Sequence, residues 1–93
     1  MPKERVHLIV HGKVQGVFFR ASARDKADEL GLKGWVRNNS DGSVEIIAEG
    51  ERADLQKFTG WCHQGPRHST VNHVVINWGS YSDQFDEFTI EYI

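Results

Sequence analysis

The run Gly34-Trp35-Val36-Arg37-Asn38-Asn39-Ser40-Asp41-Gly42-Ser43-Val44-Glu45-Ile46-Ile47-Ala48-Glu49 decides the fold. Asp41-Gly42 is the clearest hairpin signal in the chain, because a tight turn between strands needs residues that tolerate positive φ. Gly34–Asn38 therefore reads as a strand, Asn39–Gly42 as a tight connection and Ser43–Glu49 as the next strand. So short a connection makes the two strands antiparallel neighbours, with Val44 and Ile46 facing one way and Glu45 and Ile47 the other. Asn38 then stands at the end of its strand.

Working outward towards the N-terminus, Ala23, Ala27 and Leu30 recur at i, i+4, i+7 on one helical face. Ser22 and Asp25 have the spacing of a capping box, and Gly31 followed by Leu32 supplies a left-handed stop. Before that helix, Arg5–His11 alternates: Val6, Leu8 and Val10 share one face, and Arg5, His7 and His11 the other. His7 and His11 lie about 13 Å apart on such a strand and cannot clamp one metal ion together. Towards the C-terminus, Leu55, Phe58 and Cys62 form the apolar stripe of a helix from Glu51 to about Gln64, which Gly65-Pro66 stops. Val71–Trp78 reads as a fourth strand, Gly79–Asp83 as a turn and Phe85–Tyr92 as a last strand, with Phe88, Ile90 and Tyr92 on one face.

The element order is strand, helix, strand, strand, helix, strand, with one extra strand. It predicts an α+β fold: a ferredoxin-like βαββαβ sandwich with an additional C-terminal strand, its antiparallel-dominated sheet carrying two helices on one face. The expected organisation is a single domain over residues 1–93. With the first and third strands central, the loop after the first strand and the end of the second can lie at one edge, where Arg20 and Asn38 can meet.

Composition narrows the function classes. With 39% hydrophobic and 26% charged residues, and no apolar run near the roughly 20 residues that span a bilayer, a transmembrane reading is excluded. The N-terminus lacks the apolar core and cleavage site of a signal peptide, so the expected location is cytoplasmic. A formal net charge of -2 gives no global attraction to nucleic acid or anionic lipid, and any anion site must be local. Neither a nucleic-acid nor a membrane partner is expected, and the expected state is a monomer. Cys62, the single cysteine, reads as helix packing: its neighbour His63 points about 100° away on a helix and makes a poor catalytic partner.

Between the first strand and the first helix lies Gly12-Lys13-Val14-Gln15-Gly16-Val17-Phe18-Phe19-Arg20. Its glycines allow consecutive amides to converge near a helix N-terminus, a natural seat for an anion. Gln15, Gly16, Val17, Phe18 and Phe19 are the candidate amide donors, and Arg20 adds a charged fork suited to phosphate. Read from these residues alone, a glycine-containing turn with a surface arginine is the commoner use of such a stretch. Asn38 has an amide that can hold a water without taking a proton, although a strand-end or turn asparagine is the commoner use of the residue there.

Gly12–Arg20 resembles the first signature of the acylphosphatases, and Gly34–Asn38 with Asp41-Gly42-Ser43-Val44-Glu45 resembles the second. The likeness continues through Gly65-Pro66 to Phe85, Phe88 and Ile90, nearly the whole chain. It implies a hydrolase without metal or other cofactor that splits a small acyl phosphate substrate into a carboxylate and phosphate product. It further implies that Arg20 is the phosphate-binding arginine and Asn38 the water-orienting asparagine. Ser69-Thr70 and Ser80–Gln84 depart from the pattern, away from both motifs.

Two other classes compete. RNA-recognition domains share the element order but carry aromatic residues on the third strand, where this chain has none and two acids. A non-catalytic anion-binding or regulatory module on the same scaffold is the remaining alternative, since a fold does not fix a function.

Overall fold

A computed structural model describes residues 2–92 of the chain. The elements run β1 (Lys3–Lys13), α1 (Phe19–Glu29), β2 (Lys33–Asn38), β3 (Val44–Glu51), α2 (Arg52–Gln64), β4 (Thr70–Ser80) and β5 (Phe88–Glu91). They build one sheet in the order β4-β1-β3-β2-β5. Every pairing is antiparallel except that of β5 with β2, which is parallel. This is the expected α+β, ferredoxin-like arrangement, with the extra strand added beside β2.

Alternation along the strands decides what lies between sheet and helices. Val6, Leu8 and Val10 face Ala48, Ile46 and Val44 across the β1/β3 ladder, and all six are fully buried. Ala23 and Ala27 of α1 and Leu55, Phe58 and Cys62 of α2 close over this face in one core cluster. Burial pushes the Cys62 thiol far above its ordinary value, which suits a packing residue and not a nucleophile. On the opposite face His7 Nε2 lies 2.6 Å from Glu45 Oε2, and His11 stacks on His73 with ring centroids 4.4 Å apart.

The first helix ends as its sequence predicts. Leu32 N–H donates to the Ala27 carbonyl at 2.8 Å and Gly31 N–H to the Asp28 carbonyl at 3.1 Å, with Gly31 at φ 71°. Its start differs: α1 begins at Phe19, before the capping box expected at Ser22. Phe18 is the N-cap residue, and its carbonyl already accepts the Ser22 N–H at 3.0 Å, drawing Ser22 inside the first turn.

The C-terminal third also departs from the alternation pattern. β4 runs on through Gly79 and Ser80, and the last strand begins at Phe88 instead of Phe85. The reason lies in Glu49 of β3, only 2% exposed. Its carboxylate accepts the Ser82 amide at 2.9 Å, the Ser82 hydroxyl at 2.7 Å and the Asp83 amide at 3.1 Å. These bonds pin the connection where a free turn was expected.

Candidate active site

The loop between β1 and α1 is launched by a bulge. Pairing of β1 with β4 shifts register between His11 and Gly12, and Gly12 sits at φ 136°. A Cβ there would lie 2.1 Å from the Thr70 carbonyl oxygen, so only glycine lets the strand approach β4 as it turns away. Beyond it the side chains divide between inside and outside. Val14 and Phe19 are buried, Phe19 against the Trp61 ring at 5.5 Å, and Val17 packs on the core. Gly16 at φ 74° and Phe18 at φ 61° turn the backbone between these anchors.

Gln15 fastens the loop to the hairpin. Its Nε2 donates to the carbonyls of Asn39 at 2.8 Å and Ser43 at 2.9 Å. The turn it grips is itself closed: Asn39 N–H reaches the Ser43 carbonyl at 2.9 Å, and Asp41 Oδ1 accepts the Ser43 amide at 2.9 Å and hydroxyl at 2.6 Å. The Ser43 hydroxyl and amide hold the Asp41 carboxyl below its ordinary value. Asn38, at the end of β2, is thereby held beside the loop.

The outcome is a cleft of about 290 Å³, lined by Gly16, Phe18, Phe19, Arg20 and Asn38 together with Ile90 and Tyr92. Of the residues singled out in the sequence, Gln15 and Val17 do not line it, the first bound to the hairpin and the second packed inward. Ion pairs among the described residues engage Arg5, Arg24, Arg37 and Arg52. Arg20 instead places its guanidinium carbon 5.1 Å from the centroid of the Tyr92 ring. The α1 N-terminus, whose cap residue lends it no side-chain oxygen, adds positive potential to the same place. Fixed donors and positive charge in one concave site suit a phosphate.

Sequence reasoning missed two contributors. Tyr92 lies in the cleft, and the only signal for it was its shared face with Phe88 and Ile90 on the last strand. The Gln15 side-chain clasp left no local signal, since its partners lie 24 and 28 residues away.

The acylphosphatase family model matches residues 6–90. The chain belongs to the acylphosphatase family. It is 45% identical over 92 residues to an acylphosphatase of Pelotomaculum thermopropionicum, covering 99% of this chain and all of that one. With an acylphosphatase of Marinobacter nauticus the identity is 50% over 88 residues, covering 95% of this chain and 96% of the relative. Among solved structures, an acylphosphatase from Coxiella burnetii superimposes with a TM-score of 0.92 at 42% identity, covering 97% of this chain and 94% of that one. One from Bacillus subtilis gives a TM-score of 0.92 at 37% identity, covering 96% and 99%. The acylphosphatase activity of this chain is hydrolysis of an acyl phosphate to a carboxylate and inorganic phosphate.

Proposed function

We propose that Arg20 and the amides of the Gln15–Phe19 loop hold the phosphoryl group of the acyl phosphate while Asn38 orients the attacking water. One observation supports this reading: Gly16, Phe18 and Phe19 of the loop, Arg20, and Asn38, distant from them in sequence, line a single cleft. Phosphoryl transfer through a loose transition state asks a protein mainly for positioning and charge stabilisation. Arg20 supplies the charge and a planar fork, and the loop amides supply fixed dipoles. The water oxygen forms a bond to phosphorus as the bond from phosphorus to the acyl oxygen breaks. The electron pair of that bond leaves on the carboxylate, and the water proton passes to a phosphate oxygen. Nothing in this scheme calls on a metal ion. The reading extends to a cytoplasmic, monomeric, single-domain enzyme whose partners are its substrate and product.

The test is hydrolysis of acetyl phosphate, with a chelator present, by the wild type, Arg20→Ala and Asn38→Ala. Loss of one preorganised donor costs about 10²–10³ in rate, and Arg20→Ala loses at least that, together with inhibition by inorganic phosphate. Asn38→Ala loses turnover while keeping phosphate inhibition. Full activity in either folded variant removes that residue from its role.

A further inference from the structure

Outside the cleft, β1 and β4 carry a pair of histidines to which the scheme above gives no task. His11 and His73 are direct cross-strand partners, and their rings lie nearly parallel, 14° apart, with centroids separated by 4.4 Å. His11 is half-buried and His73 exposed. Elsewhere His7 is bonded to Glu45 and His63 to the Thr59 carbonyl, whereas neither His11 nor His73 makes a hydrogen bond or ion pair among the described residues.

A neutral imidazole offers a nitrogen lone pair that suits Cu(II), Ni(II) and Zn(II), with metal–nitrogen bonds of about 2.0–2.1 Å. Two such nitrogens side by side on one ion stand about 3 Å apart. Cross-strand Cβ atoms are about 4.5–5.5 Å apart, so both rings reach one ion by side-chain rotation alone, and the exposed His73 ring has room to turn. His7 and His11, spread along one strand, lack that closeness; His73 supplies it from the neighbouring strand. The Ser43 hydroxyl and amide chiefly keep Asp41 ionised, and His11 lies near enough to add to that effect, so a carboxylate charge favours a cation beside this pair. No group of three or more ligating side chains forms among the described residues, which leaves the remaining coordination positions to water.

We propose that His11 and His73 form a two-imidazole binding site for a divalent transition-metal ion at the β1/β4 edge, taking Cu(II) in preference to Zn(II). For a given nitrogen site Cu(II) stands above Zn(II) in affinity. The strands shift register between His11 and Gly12, so a bound ion ties β1 to β4 at the root of the loop. The ion takes no part in hydrolysis, and the site stands whether or not Arg20 holds the phosphoryl group.

The experiment titrates untagged, metal-stripped protein with Cu(II) in a non-coordinating buffer, by calorimetry, and examines the one-to-one complex by electron paramagnetic resonance. The chains compared are the wild type, His11→Gln, His73→Gln and His68→Asn. His68 is an exposed turn histidine at φ 73°, a conformation asparagine tolerates, so His68→Asn controls for the loss of any one histidine. The wild type binds one Cu(II) through two imidazole nitrogens. In His11→Gln and in His73→Gln the affinity falls at least about tenfold, the low end of what losing even a supporting group costs a metal site, and the spectrum drops to one nitrogen. His68→Asn keeps the wild-type affinity and spectrum. Because His73 is exposed on an edge strand, His73→Gln folds as the wild type does and decides the matter even if His11→Gln does not. Wild-type affinity in His73→Gln, an equal loss in His68→Asn, or a wild-type complex with fewer than two imidazole nitrogens overturns the site.

Discussion

Gln15 acts through its side chain, which fastens the loop to the hairpin. Its amide satisfies two carbonyls of the hairpin turn and so sets the distance between loop and Asn38. Gln15→Leu removes both side-chain bonds, leaving the two carbonyls only their backbone donors Gly42 N–H and Asn39 N–H, and destabilises the protein by about 1–3 kcal/mol, read as a lower urea midpoint. The bonded Asn39 follows Asn38 directly, so if Asn38 orients the water as proposed, kcat falls more than KM rises, a split that loss of stability alone does not produce. That Arg20 and Asn38 could meet was legible in the element order, and they do line one cleft, whereas their residue types alone did not set them apart from a surface arginine and a turn asparagine. The left-handed Phe18 was not legible: no local pattern marks a bulky residue for positive φ, and the conformation is imposed by Val14 and Phe19 being buried on either side.

At the scale of elements, the hairpin, the buried faces of both helices and their C-terminal ends follow their sequence patterns because the signals agree there: Asp-Gly at the turn, apolar stripes, glycine at each helix end; the start of α1 is the exception. Glu49 breaks the rule that alternation sets exposure. It falls on the outer face and is nevertheless buried, since the Ser82 and Asp83 amides reach back to it across a sequence gap that no local window spans. Its neighbour Glu45 makes a pH prediction. Burial alone would raise the Glu45 carboxyl, but His7 at 2.6 Å and Arg37 at 2.9 Å bond its charged form and the net effect is a lowered value. A carboxyl lowered by folding gives stability that is complete above its unfolded value, 4.5, and is lost as pH falls through the lower folded one. Thermal midpoints taken from pH 7 downward should therefore fall less steeply below about pH 4.5 in Glu45→Gln than in the wild type.

For the molecule as a whole, element order was enough to give the layered architecture, whereas the parallel pairing of β5 with β2 was not legible. A four-residue strand carries too little pattern to specify its neighbour, and Gly34 facing Phe88 sets that register only in three dimensions. Phe88 reaches the centre of the core, where its ring centroid lies 6.0 Å from that of Phe58. Phe58→Ala removes this junction between α2 and the last strand and should cost about 3–5 kcal/mol, measured by urea unfolding. The sheet order also leaves β4, eleven residues long, as an outer edge, with Val75, Ile76 and Trp78 partly exposed along it. Thr70–Trp78 contains no proline and no Asp, Glu, Lys or Arg, so little prevents another extended chain from adding to it. The folded state itself therefore offers an edge for aggregation. In concentrated solution a β-rich aggregate should form with a lag that shortens as protein concentration rises. Val75→Lys should lengthen that lag, followed by thioflavin fluorescence, while acyl phosphate turnover is retained.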